Sequence, residues 1–110
     1  MVTAVVVSLA LFLAAAMLEI GGGYLVWLWL REKKGLAVGL AGGVVLFCYG
    51  ILPTLQAASF GRVYAAYGGI FVVASILWGP LVDKKQPDRA EIVGALVTLI
   101  GAVVIMYAPR

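Results

Sequence analysis

Leu18–Leu30, LEIGGGYLVWLWL, closes the first apolar run of the chain and contains its one acid. From Val2 to Leu30 there is no Lys, Arg or Asp, and Glu19 is the only acidic or basic side chain. As a helix this run is roughly 43 Å long, against a hydrocarbon core about 30 Å thick. It spans a bilayer with length to spare, which tilt accommodates. Glu19 then stands about 18 Å along the helix from the cluster that starts at Arg31, close to mid-membrane. A carboxylate there costs about 2.5 kcal/mol or more to insert unless something compensates it. That cost marks Glu19 as the working residue.

The composition agrees with a membrane setting. Of 110 residues, 65% are hydrophobic and 12% charged, which excludes an ordinary soluble globular domain. The net charge of +3 does not point to nucleic acid, because the basic residues flank apolar runs in short clusters. With no histidine and one cysteine, neither an ordinary zinc site nor an internal disulfide can form. Cys48 reads as a small buried apolar side chain. No metal cluster, cofactor motif or nucleophile–base pair is visible, so no enzyme is expected.

Three further apolar runs follow, separated by polar breaks at residues 31–34, 59–62 and 83–89. The spacing predicts a single four-helix transmembrane domain over residues 1–110, with helices at about 2–30, 35–58, 63–82 and 92–108. The fold class is all-α, with short loops. Ala15, Ala16, Gly22 and Gly23 lie one turn from Glu19 and leave space beside it for a packed helix or a ligand. Gly35, Gly39 and Gly43 form a small-residue stripe on helix two, and Pro53 is expected to kink or end that helix. Gly94 and Gly101 share a face of helix four, suited to close helix association.

Helix three carries an aromatic stripe. At about 100° per residue, Tyr64, Tyr67, Phe71, Ser75 and Trp78 fall within a sector of about 80°. Trp78, like Trp27 and Trp29 on helix one, fits an interfacial belt. Tyr67 and Phe71 lie deeper, where packing is one reading and a cation pocket facing a carboxylate is the other. Topology follows from the basic residues. Arg31, Lys33, Lys34, Lys84, Lys85 and Arg89 sit in the first and third loops, and Arg62 and Arg110 on the other side. The bias places both termini outside and the two basic loops in the cytoplasm of a cell (inner) membrane.

In combination, LEIGGGYLVWLWLRE, LPTLQAASFGRVYAAYGG, WGPLVDKKQPDR and GAVVIMYAPR resemble the small multidrug resistance superfamily, and most closely its YnfA-type branch. The resemblance implies a homodimeric antiporter that exchanges protons for small organic cations, quaternary ammonium or guanidinium-like. Glu19 matches the membrane acid shared by proton and substrate, Tyr64 a pocket tyrosine, and Tyr67 a position where the multidrug exporters carry tryptophan. Gly94 and Gly101 match the dimerising face. The aromatic implied for helix two falls on Val44. Lipid, protons, cations and a second copy are thus the expected partners. The alternative is a structural or accessory membrane protein whose Glu19 hydrogen-bonds another helix.

The orientation can be read directly. In a Cys48→Ala background, Lys33→Cys and Lys85→Cys are expected to resist an impermeant thiol reagent in intact cells, while Arg110→Cys reacts. Equal labelling at all three positions would mean that copies insert both ways round.

Overall fold

Each turn between helices has a local cause. In the computed structural model, which describes residues 1–110, α1 runs unbroken from Val2 to Leu30, through Gly21–Gly23. It stops where Lys33 takes a left-handed conformation (φ 55°) and the Lys34 amide bonds the Leu28 carbonyl at 3.1 Å. Helix α2 follows at Leu36–Ile51 and tightens into a 3-10 turn over Leu52–Leu55. Pro53 sits in that turn, where its missing amide and fixed φ end the regular helix before residue 58.

Helix α3 spans Phe60–Trp78 and widens into a π-helical turn over Gly79–Asp83. Pro80 has no amide to offer the preceding turn, and the Lys85 amide reaches back to the Gly79 carbonyl at 2.9 Å. Helix α4 occupies Arg89–Tyr107. It starts three residues before the apolar run because Asp88 caps it. The Asp88 carboxylate accepts from the Glu91 amide at 2.7 Å, and Glu91 Oε1 accepts from the Asp88 amide at 3.1 Å. The result is an all-α membrane protein with four segments long and apolar enough to cross a bilayer.

The helices associate as two hairpins, α1 with α2 and α3 with α4, joined where α1 meets α3. That junction forms the core. Phe12, Ala15 and Ala16 of α1 pack on Val63, Ala66, Tyr67 and Ile70 of α3. Alanines at this contact let two backbones approach, as membrane packing requires when apolar side chains gain nothing over lipid.

Within each hairpin the closest approach is at glycine. A Cβ on Gly42 would lie 2.7 Å from the Gly22 carbonyl oxygen, and one on Gly69 would lie 2.8 Å from the Thr98 carbonyl oxygen. The stripe expected on α2 is therefore displaced. Gly39 packs under Trp29, but Gly35 and Gly43 face open space and Gly42 makes the contact. The line of contact passes through Gly39, Gly42 and Leu46. This is a three–four spacing, not a repeat of four. Position 48 falls outside that line, so Cys48 is exposed rather than buried.

The two ends of the bundle differ. At the end holding the chain termini, Ser8 Oγ donates to Gln56 Oε1 at 2.8 Å and lies 2.9 Å from the Tyr107 hydroxyl. Gln56 Nε2 in turn donates to the Ser8 carbonyl at 2.9 Å. This clasp ties α1, the segment after α2, and α4 together. At the basic-loop end the polar link is looser, a single 3.4 Å bond from the Tyr24 hydroxyl to Asp83, and α1 and α3 flank a cavity.

Packing at Gly42 is directly testable. Gly42→Val is expected to destabilise the protein in detergent by about 1–3 kcal/mol, as overpacking of a tight contact does. Gly43→Val, one residue on but facing open space, is expected to stay within about 0.5 kcal/mol of the wild type. Equal effects on unfolding would contradict this arrangement of α1 and α2.

Candidate functional site: an acid at the head of an aromatic cavity

Glu19 occupies α1 one turn past the Ala15–Ala16 contact, and the same packing aligns it with Tyr67 of α3. The Tyr67 hydroxyl donates to Glu19 Oε1 at 2.7 Å. Tyr67 is 4% exposed, and its position is set by rings on several sides. Phe12 lies at 6.3 Å, Tyr49 at 5.7 Å and Phe71 at 6.0 Å between centroids. A hydrogen bond to a charged group contributes about 1.5–3 kcal/mol. That is the same order as the cost of placing a carboxylate at mid-membrane, about 2.5–3.5 kcal/mol on insertion scales. One well-placed hydroxyl thus offsets much of the penalty that singled Glu19 out.

The space flanking Glu19 is divided. On the alanine side it is filled, because Ala15 and Ala16 are buried against α3. Toward Gly22 it is filled by α2, through Leu46 and Gly42. Toward Gly23 it is open: no atom lies within 4 Å of where a Cβ would stand. From there a cavity of about 700 Å³ extends toward the basic-loop end, lined among others by Glu19, Tyr24, Trp27, Phe71, Trp78 and Asp83. The sequence left helix or ligand open; the structure puts a helix on one side of Glu19 and free space on the other.

The aromatic stripe of α3 is split by this arrangement. Phe71, Ser75 and Trp78 line the cavity, and Tyr67 holds the acid from behind. Tyr64 does not join them. Its ring packs 4.4 Å from that of Phe60, and it lines a separate, smaller cavity with Pro53 and Gln56 near the terminal end. Of the glycines, Gly22 serves the α1–α2 contact and Gly23 the cavity, while Gly94 and Gly101 face open space on α4. Trp27 and Trp29 have particular partners. The Arg31 guanidinium lies 4.5 Å from the Trp27 ring centroid, and Trp29 covers Gly39.

Three side chains emerge that the sequence reading did not place at the site. Val44, where an aromatic was implied, is 65% exposed. Tyr49 supplies the aromatic of α2 instead, its ring 5.7 Å from that of Tyr67. Tyr24, five residues beyond Glu19, meets Trp78 edge-on at 5.6 Å, and its hydroxyl donates to Asp83 Oδ1 at 3.4 Å. At that spacing Tyr24 lies about 140° round the helix from Glu19, so its position gave no signal, and nothing in the sequence signalled that Asp83 folds back over the cavity. No three His, Cys, Asp or Glu side chains converge to hold a metal ion. Chemically, the site offers one buried-end carboxylate, a hydroxyl that orients it, and aromatic faces toward an opening. Such a combination attracts a cation by charge pairing and by the ring quadrupoles.

A family model described as "Uncharacterised BCR, YnfA/UPF0060 family" matches residues 5–110. The chain is similar to the UPF0060 membrane protein YfjF of Bacillus subtilis, 60% identical over 105 residues, covering 94% of this chain and 96% of that protein. It is likewise similar to a UPF0060 membrane protein of Clostridium beijerinckii, 53% identical over 108 residues, with 96% and 97% covered. A UPF0060 membrane protein of Rippkaea orientalis is 57% identical over 103 residues, with 94% of each chain covered. No solved structure matches the chain.

The hydrogen bond between α1 and α3 can be measured by a double-mutant cycle. Glu19→Ala, Tyr67→Phe and the double variant are expected to give a coupling of about 1.5–3 kcal/mol in unfolding from detergent. Additivity within about 0.5 kcal/mol would mean that the two groups do not interact.

Proposed function

The chain belongs to the YnfA/UPF0060 family of membrane proteins, and from that premise we propose that it is a proton-coupled exporter of small organic cations. The observation that carries this reading is Glu19, set at the closed head of an open aromatic cavity with its carboxylate held by the Tyr67 hydroxyl. A quaternary ammonium or guanidinium-like group entering between Tyr24, Phe71 and Trp78 exchanges water for ring faces and pairs with the Glu19 charge. A proton at Glu19 removes that charge and with it the main attraction for the cation. Proton and cation therefore exclude each other at one group, and exclusion combined with access from alternate sides gives exchange.

The asymmetry of the bundle supports access from one side at a time. The cavity extends from Glu19 toward the basic-loop end, as its lining by Trp27, Trp78 and Asp83 indicates; by the distribution of Lys and Arg that end lies in the cytoplasm of the inner membrane, with both termini outside. The far end is held by the Ser8–Gln56–Tyr107 clasp. Release outward requires these bonds to open as the basic-loop end closes. A second copy supplies what one small bundle lacks. Gly94 and Gly101 present an unfilled face on α4 among exposed Val97, Ile100 and Val104, and a symmetric pairing there gives a homodimer.

A second reading has its own observation. The Glu19–Tyr67 bond is an interhelical bridge, which a structural or accessory protein would use in the same way. Ionisation separates the two. In liposomes with a proton gradient, the wild type is expected to drive uptake or release of cations such as tetrapropylammonium. Glu19→Gln still accepts from Tyr67 but cannot ionise, and is expected to abolish coupled flux and substrate-induced proton release. Glu19→Asp keeps the acid on a shorter arm and is expected to retain proton release with altered affinity. A fully active, proton-coupled Glu19→Gln variant would falsify the exchange reading and leave the bridge.

A further inference from the structure

The cavity headed by Glu19 has a second carboxylate on its lining, Asp83. The π-helical turn after α3 brings it there. Tyr24 stands five residues, about 7.5 Å of helix rise, beyond Glu19 on α1, and its hydroxyl reaches Asp83 Oδ1. One carboxylate thus lies at the head of the space and the other near its mouth. Between them the lining is apolar and aromatic, from Ile20, Leu46 and Phe71 to the edge-on pair of Tyr24 and Trp78.

We propose that the substrates this cavity fits best are linear diamines, two ammonium groups joined by a short methylene chain, one bound at Glu19 and the other at Asp83. The inference rests on the exchange reading above and specifies its substrate. A methylene chain suits the apolar stretch between the acids, and each ammonium finds a carboxylate and an aromatic face. The Tyr24 bond to Asp83 is long at 3.4 Å and uses one of the carboxylate's several acceptor positions, so an ammonium has room to bind. The surrounding basic groups sharpen the requirement. Arg31 sits over Trp27 at this end, and Lys84 and Lys85 follow Asp83 directly. The general field at the mouth does not favour a cation, so the gain comes only from a group that reaches Asp83 itself. Two fixed acids also impose a length: the diamine must span them.

The test uses purified full-length protein in weakly buffered detergent, with proton release as the readout. The probes are putrescine, cadaverine and hexamethylenediamine, each against the monoamine of the same chain length, with tetrapropylammonium as a single-charge reference. The wild type is expected to prefer one diamine over its monoamine by about twofold to fivefold, the contribution of one added ion pair at a solvated position. Asp83→Asn is expected to abolish that ratio. Asp83→Glu, with a longer arm, is expected to restore it and move the preferred diamine to a shorter chain, an effect that a merely structural role for Asp83 would not produce. If the wild type does not distinguish diamine from monoamine, or if Asp83→Asn lowers both alike, the two-carboxylate assignment is wrong, while release by tetrapropylammonium still upholds exchange. If no cation releases a proton from the wild type, the exchange reading fails and this inference fails with it.

Discussion

A carboxylate inside hydrocarbon must be compensated, and the bond from the Tyr67 hydroxyl to Glu19 is how this protein does it. The rest of the arrangement depends on that contact. It requires α1 and α3 to approach closely, which small residues at Ala15, Ala16 and Ala66 allow. It also requires the Tyr67 ring to be fixed, which Phe12, Tyr49 and Phe71 accomplish from three elements. Because the hydroxyl comes from one side, the other side of Glu19 faces the cavity.

Small residues divide the labour of packing. Gly22 with Gly42, and Gly69 opposite Thr98 and Ala102, bring backbones together inside each hairpin. Gly23 performs the opposite task, since an absent side chain there keeps the cavity open beside the acid. Without a hydrophobic driving force between helices in lipid, this close approach is the main source of association. The same reasoning applies to α4, where Gly94 and Gly101 have no neighbour within the chain and so leave a surface of the kind that packs against another helix.

The two ends of the bundle are built from different chemistry. Near the termini, a hydroxyl, an amide and a phenol close the structure through a three-residue network. Such neutral hydrogen bonds contribute about 0.5–1.5 kcal/mol each, enough to favour a closed end and small enough to reverse. At the basic-loop end, aromatic rings and two carboxylates surround open space. The proline at position 80 links this end to the sequence, because the wide turn that follows it carries Asp83 back over the cavity.

The sequence by itself determined that the protein is a four-helix membrane protein and that Glu19 is exceptional, because apolar length and the cost of an intramembrane charge are properties of composition along the chain. It also marked the end of α2 at Pro53, whereas the start of α4 at Arg89, set by the Asp88–Glu91 cap, went unread because the apolar run begins three residues later. Periodicity put Tyr67, Phe71 and Trp78 on one face of α3 but could not tell which would hold the acid, which would line a cavity and that Tyr64 would turn to a separate one. That sorting depends on where α1 crosses α3. Likewise a repeat of glycines on α2 suggested contact through Gly43, whereas the packing of α2 on α1 selected Gly42 and left Cys48 exposed. Tyr49 reached the Tyr67 ring, and Asp83 the cavity beside Glu19, only through tertiary structure, since each lies more than 25 residues from Glu19 in sequence. No local pattern encodes such a distance; only the packing of helices decides which side chains it brings to one carboxylate.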